Sequence, residues 1–379
     1  MSYAFVNNQK DFNALCSSIA AHPYLSIDTE SNSLFAYRER LCVLQISTES
    51  INAVVDMLAV DLKPVLPIFA DPKVEKIFHS ADSDIRVLKS AAKCRFVNIF
   101  DVMIGSKYLG VQRCGLDSLV NHYFGIVMDK KYQKADWGKR PLTKPMLDYA
   151  AGDTIYLKRL RDVIRKELLQ QGKLDEAMEH FAHIAEVVPQ PHSSFDKDEY
   201  QNIHGARKLN GLGLAVLREL YIAREEAAIR KDMPPFKILS QDYMLRLSAA
   251  PTEALENLAS FRGSSDYVLN NYGEWIRAAI KKGIECRKKP VLKPLGREDR
   301  YGKMESVRVR FLAMKKWRKE IAGKRGMLPE TVLENTLLEK LAFAQPRTMD
   351  DLKKIKGLSP EKLNSYGKEL LEFFRTHKL

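Results

Sequence analysis

The stretch Leu25-Ser26-Ile27-Asp28-Thr29-Glu30 alternates apolar and polar residues and then ends in two carboxylates. A strand sends successive side chains to opposite faces, so Asp28 and Glu30 share one face. Two anions side by side at a strand end repel each other unless a proton or a cation lies between them, and hard divalent metals take oxygen ligands of this kind. The competing reading is an exposed strand end with two solvated acids. Further acids elsewhere in the chain would decide the matter by completing a ligand set.

Working outward, Arg40 to Ser47 and Ile51 to Met57 are short, apolar and β-branched, and read as strands beside the first in one sheet. Lys63 to Ala70 has helical spacing. Val74 to Phe78 reads as a strand that runs into His79-Ser80-Ala81-Asp82-Ser83-Asp84, after which Ile85, Val87, Leu88 and Ala92 follow a helical period. Asp84 therefore falls in the first turn of a helix just after a strand. Acids there commonly serve as caps and dipole partners, which is the alternative to a ligand role. Phe96 to Val102 is a further candidate strand. Asp129 to Leu142 gathers cations and Trp137 in a segment without period, suited either to phosphate contact and base stacking or to anchoring by Trp137 against the domain. A long helix is predicted from near Thr143 through Leu160, with Tyr149 and Asp153 one turn apart on one face.

The chain has 379 residues, enough for two or three domains each with its own core. Hydrophobic residues at 45% and charged residues at 29% exclude a disordered chain. No apolar run approaches the roughly 18 residues of a membrane span, and Met1 to Lys10 lacks the layout of a secretory signal, so no membrane partner and a cytoplasmic location are expected. Cys16, Cys42, Cys94, Cys114 and Cys286 are odd in number and scattered, which fits reduced, packed thiols. The net charge of +13 is uneven: residues 1 to 190 hold 24 Lys and Arg against 23 Asp and Glu, whereas residues 191 to 379 hold 37 against 25. The pattern suggests a first half that performs chemistry and a second that holds a polyanion.

Polar residues and prolines from Gln190 to His204 mark a boundary, beyond which the chain repeats itself at an offset of 94 positions. Leu269-Asn-Asn-Tyr-Gly273 recurs as Leu363-Asn-Ser-Tyr-Gly367, Gly263 as Gly357, Pro235 as Pro329 and Leu258 as Leu352. Both copies read as short helices, joined by a connector from Lys281 to Lys303 with nine Lys and Arg, read as an extended basic linker. Cations on these modules either contact phosphates or are solvated faces of packing units. The surplus charge favours contact, so truncation after about residue 285 is expected to weaken binding and flatten its salt dependence more than it alters chemistry.

Taken together, these motifs resemble the DEDD superfamily of exonucleases in its tyrosine subgroup, and within it the ribonuclease D family. Asp28-Thr29-Glu30 matches the first motif, His79 with Asp84 the second, and Tyr149-Ala-Ala-Gly-Asp153 the third; Asp136-Trp137 through Arg140-Pro141-Leu142 is also similar. The repeated modules resemble HRDC domains, through Pro-Pro-Phe-Lys-Ile-Leu239, Leu-Pro-Glu-Thr-Val-Leu333 and the Tyr-Gly pairs. The resemblance implies an α/β ribonuclease-H-like core, a mixed sheet flanked by helices, over residues 1–190, followed by two all-α HRDC-like domains over 205–284 and 302–379. It implies that Asp28, Glu30, Asp84 and Asp153 bind two divalent metal ions (Mg2+ or Mn2+), that Tyr149 orients the attacking water, and that Thr29, His79 and Gln45 lie near the substrate. Trp137 and Arg140 are expected on the substrate side as well. His79 has the alternative of a satisfied buried histidine. The expected activity is 3′-5′ trimming of single-stranded RNA with release of nucleoside 5′-monophosphates, on tRNA precursors, by a monomer. A 3′-5′ DNA exonuclease of repair type and a non-catalytic nucleic-acid-binding scaffold are the rival readings. Ser31 to Glu39 is richer in serine and charge than the family pattern, which bears on substrate preference.

Overall fold

The computed structural model describes residues 2–189, 195–287, 290–292 and 305–377. Six strands form one mixed sheet: β1 (Ala4–Val6), β2 (Tyr24–Ser31), β3 (Leu41–Ser47), β4 (Asn52–Asp56), β5 (Glu75–Phe78) and β6 (Ile99–Asp101), in the spatial order β1-β4-β3-β2-β5-β6. β1 pairs parallel with β4, β4 antiparallel with β3, and β5 parallel with both β2 and β6. Every residue of β3 and β5 is buried, because the sheet is covered on both faces. The strand β1 was not expected; it is three residues long, too short to show a period. Phe96–Val102 contracts to β6.

The helices that matter to the sheet are α1 (Gln9–Ile19), α2 (Leu66–Phe69), α3 (Ala81–Ala91), α4 (Val102–Tyr108), α5 (Leu116–Phe124), α6 (Lys144–Ile155), α7 (Leu157–Gln170) and α8 (Leu174–Ala185). The helix expected from Lys63 is one turn of 3-10 helix followed by the short α2. The long helix expected from Thr143 is two, because at Tyr156 the backbone N–H turns back to Thr154 O and ends α6. The passage from β5 into α3 is tightly held. Ser80 there is left-handed (φ 67°), a conformation costly for a side-chain-bearing residue. The buried Asp101 carboxylate accepts from the backbone N–H of Ser80, Ala81 and Ile104 at 3.2, 2.8 and 3.0 Å, so one side chain clamps the turn and caps α4.

Beyond the sheet the repeat is visible element by element. The first copy comprises α9 (Gly211–Lys231), α10 (Pro235–Ile238), α11 (Gln241–Ala249), α12 (Pro251–Glu256) and α13 (Asp266–Glu285). The second comprises α14 (Glu305–Arg325), α15 (Pro329–Val332), α16 (Asn335–Ala344), α17 (Met349–Lys353) and α18 (Pro360–Thr376). Pro235 and Pro329 each open a short helix, and Gly263 and Gly357 each take a positive φ. Tyr272 and Tyr366 are both buried, and each meets a cation: Lys231 Nζ donates to Tyr272 Oη at 3.2 Å, and Arg325 donates to Tyr366 Oη. Lys281–Glu285 continue α13 rather than starting a linker; most of the expected connector falls outside the described residues.

The chain divides into two compact units that interleave in sequence. One contains Met1–Glu30, Leu41–Pro189 and Leu295–Leu379, and thus the sheet together with the second helical copy. Within it a single apolar cluster runs from Phe100, Leu168 and Phe181 into Val332, Leu341, Leu358 and Phe373. A polar seam accompanies it. Arg325 pairs with Glu176 at 2.6 Å, Tyr366 Oη donates to Glu176 at 2.7 Å, Lys173 Nζ donates to Gly326 O at 3.0 Å, and Leu328 N donates to Lys107 O at 2.9 Å. The other unit contains Gln190–Pro294 and, unexpectedly, Ser31–Arg40. Tyr37 N and Arg40 both bond Asp232, at 3.1 Å each, while Tyr37 Oη donates to Glu225 at 3.0 Å. The serine- and charge-rich stretch after Glu30 is therefore a packing segment of that helical unit.

Candidate active site

Three elements deliver the acids. β2 places Asp28 and Glu30 on one face, the first turn of α3 carries Asp84, and α6 carries Tyr149 and Asp153. One carboxylate oxygen each from Asp28, Glu30 and Asp153 lies within 4.8 Å of the others. Asp84 lines the same cleft and is fixed by Thr29: its Oδ1 accepts from Thr29 N at 3.1 Å and from Thr29 Oγ1 at 2.6 Å, leaving Oδ2 outside that pair. The cleft encloses about 270 Å3. Thr29 and His79 also line it, and the His79 ring nitrogen Nε2 meets Cys114 O at 2.7 Å.

Burial is the first cause that pushes all four carboxyls above the usual carboxylate range. Asp28, Asp153 and Asp84 drive Glu30 further, Asp28 and Asp101 drive Asp84, and Asp28 drives Asp153. Asp28 rises to about 7. Tyr149 is pushed up by burial and then by Asp153 and Glu30, so its phenol keeps its proton and its hydrogen bond offsets part of the rise at Asp153. Among the described residues no Lys or Arg forms an ion pair with any of the four acids. An all-oxygen set of clustered carboxylates without a protein cation fits a hard divalent ion.

That electrostatic frustration has a measurable sign. The ordinary carboxyl titrates near 4, so between about pH 4 and the Asp28 value of about 7 the unfolded chain has ionised and the metal-free fold still holds its protons. The contribution of these groups to stability is therefore fully present below pH 4 and is lost as pH rises through that window. A divalent ion removes the loss by stabilising the carboxylates, releasing protons as it binds. The gain in melting temperature on replacing EDTA with Mn2+ is expected to be larger at pH 7.5 than at pH 5.5. A gain independent of pH would contradict the assignment.

Three of the expected substrate contacts do not line the cleft. Trp137 is only 1% exposed and packs in the layer beneath α6 with Leu142, Met146 and Ala150, its ring 6.1 Å from that of Tyr149. It anchors the loop. Arg140 forms a forked ion pair with Asp56, Nε to Oδ2 at 2.7 Å and Nη2 to Oδ1 at 2.5 Å, and also donates to Trp137 O and Cys42 O. Its donors are committed to β3, to Asp56 at the end of β4 and to its own loop. Gln45 is fully buried in the middle of β3 and does not line the cleft. Conversely, Asp117, Met128, Lys130 and Gln133 line the cleft and were not singled out. Lys130 pairs with Asp117 at 2.7 Å. Lys130 and Gln133 stood inside the cationic loop, whereas Asp117 carried no sequence signal.

Comparison with known proteins agrees with this geometry. The family model described as 3'-5' exonuclease matches residues 3–169, and the HRDC domain model matches residues 213–280 and 308–373. Ribonuclease D of Granulibacter bethesdensis is 30% identical over 269 residues, 69% of this chain and 66% of that one, so the chain spans just under two thirds of that relative's length. Ribonuclease D of Zymomonas mobilis is 30% identical over 283 residues, 72% of this chain and 71% of that one. The crystal structure of Escherichia coli RNase D, described as an exoribonuclease involved in structured RNA processing, covers all of both chains with a TM-score of 0.74 at 20% identity, a likeness of fold. No helix among the described residues is long and apolar enough to cross a membrane. Identity sustained over more than two thirds of both chains, with exonuclease and HRDC matches in that order, shows that the chain belongs to the ribonuclease D family.

Proposed function

We propose that the protein removes nucleotides one at a time from the 3′ end of single-stranded RNA, releasing nucleoside 5′-monophosphates, with tRNA precursors as substrates. The observation that carries this reading is the convergence of Asp28, Glu30 and Asp153 beside Asp84 in a cleft of about 270 Å3. The four acids hold two divalent ions, Mg2+ or Mn2+. When bound, such a pair supplies a nucleophilic hydroxide at neutral pH and offsets charge on the departing 3′-oxygen. Thr29 fixes Asp84 in the cleft, since its backbone N–H and hydroxyl both donate to one Asp84 oxygen. Tyr149, which keeps its proton, orients the attacking water by hydrogen bonding rather than acting as a base. The reaction exchanges the P–O3′ bond for a P–O bond to water, and the 3′-oxygen leaves with a proton.

The domain assignment belongs to the same proposal: exonuclease 1–190, first HRDC domain 205–284, second HRDC domain 302–379, acting as a monomer in the cytoplasm. The excess of cations beyond residue 190 supports RNA as the partner of the helical modules. A tRNA precursor labelled at its 3′ end is expected to release labelled mononucleotide only with a divalent ion present, faster than a DNA oligonucleotide of the same sequence. Preferential digestion of DNA would replace this reading with the repair-type exonuclease, and no release from either would leave a binding scaffold.

A further inference from the structure

Asp101 ends β6, is 1% exposed and does not line the catalytic cleft. It pairs in register with Phe78, the last residue of β5, so its side chain stands level with the turn from β5 into α3. Its carboxylate takes the N–H groups of Ser80 and Ala81 from that turn and of Ile104 from α4. Ser80, the residue before α3, is left-handed and makes no side-chain cap of its own, so the first N–H of α3 is held from the neighbouring strand instead. The far end of α4 is fixed as well, because Leu328 N donates to Lys107 O and Lys173 Nζ to Tyr108 O, both at 2.9 Å. A left-handed serine persists only where its surroundings over-determine it, and such residues gather at functional sites. Asp84 lies three residues beyond Ala81, in the first turn of α3.

Resting on the exonuclease reading, we infer that Asp101 is a positioning residue of the metal site: by fixing the turn into α3 it sets where Asp84 stands among the other acids. A clamp is needed because the acids oppose their own assembly. Burial and the charge of Asp28 both disfavour an ionised Asp84, and a loose helix end would relieve that cost by moving outward. Thr29 on β2 holds one oxygen of Asp84, and Asp101 on β6 holds the start of its helix, so the ligand is fixed from the strands on either side of β5. Groups that orient a metal ligand without touching the metal change affinity by about 10–100-fold when they are lost. Asp101 also bears on Asp84 through its charge. An effect of charge alone would not depend on the conformation of Ser80, whereas positioning does.

The test measures Mn2+ binding to the full chain without RNA, from the electron paramagnetic resonance of the unbound ion, together with melting in EDTA. Asp101→Asn keeps the shape of the side chain and gives up one acceptor, and it should weaken Mn2+ binding about tenfold or more. Ile19→Ala, a buried change in α1, should lower the melting temperature and keep Mn2+ binding within about twofold of wild type. Ser80→Gly adopts the left-handed turn freely, so adding it to Asp101→Asn should recover at least about threefold of the lost affinity. If Asp101→Asn does not melt cooperatively, Ser80→Val takes its place: a β-branched side chain opposes the same turn with Asp101 intact, and binding should weaken at least about threefold. The inference is overturned if Asp101→Asn binds Mn2+ no worse than Ile19→Ala, if Ser80→Gly restores nothing, or if Ser80→Val, where it is the variant used, binds normally. The metal-site reading is judged separately. A wild-type chain that does not bind Mn2+, or an Asp28→Asn chain that binds it equally well, would remove the site itself, whereas an intact site with Asp101→Asn silent would remove only the positioning role.

Discussion

Asp28→Asn and Asp153→Asn are each expected to lower nucleotide release by about a thousandfold or more while leaving the fold intact. Each substitution removes a charged oxygen from a site where three carboxylates lie within 4.8 Å. Metal catalysis supplies several kcal/mol of transition-state stabilisation, and each 1.36 kcal/mol is tenfold in rate. The same change should make the metal-free protein more stable, because an amide of the same shape is not penalised for burial as an ion is. On the order of 1–3 kcal/mol is expected above neutral pH from the rise at Asp28 alone. Paired measurements of nucleotide release and of unfolding in EDTA separate this outcome from simple damage. A variant that kept wild-type turnover would remove Asp28 or Asp153 from the ligand set, and one that lost turnover together with stability would mean the fold had been harmed. Tyr149→Phe should be milder, about a hundredfold, as befits a positioning donor.

The second large effect concerns the C-terminal helical copy. From charge alone, ending the chain after residue 285 would cost binding and spare chemistry. The packing says otherwise. Val332, Leu341, Leu358 and Phe373 belong to the same apolar cluster as Phe181 and Leu168, and Glu176 is neutralised by Arg325 across the seam. Deleting a single well-buried large side chain costs about 2–5 kcal/mol, and a whole protein has only about 5–15 in hand. The truncated chain should therefore fail to give a cooperative unfolding transition, and its nuclease activity should fall with its fold. A milder probe, Arg325→Ala, leaves Glu176 buried without its cation and is expected to cost about 3 kcal/mol. If the truncated chain melts cooperatively at the wild-type temperature, the seam contributes nothing to stability.

What could be read from the sequence followed from local rules. Alternation put Asp28 and Glu30 on one face, a strand followed by a helical period put Asp84 in a first turn, and a spacing of four put Tyr149 beside Asp153. The 94-residue offset holds between the two helical copies at both the prolines and the glycines. The surroundings of the expected site residues were set by non-local contacts. Nothing around Arg140 announces that its fork is claimed by Asp56, which is 84 positions away. An aromatic in a cationic loop looks like a stacking platform whether or not, as with Trp137, it is buried beneath a helix. Gln45 sits in an apolar strand with no sign of how deep that strand lies. The Ser31–Arg40 excursion stood out by composition, but its partners Glu225 and Asp232 lie nearly two hundred residues away.

The interleaving of the two units bears on how the molecule is made. Tyr37 must wait for Asp232 to leave the ribosome, and the greasy side of α8 must wait for Phe373. At an elongation rate of about 5–20 residues per second, the 188 positions between Ala185 and Phe373 correspond to roughly 10–40 s during which α8, already able to pack on β6, α3, α4 and α7, lacks the part of its cover that α18 supplies. The catalytic half can therefore pack its sheet and helices as it emerges, but its apolar cluster is complete only once α18 has been released.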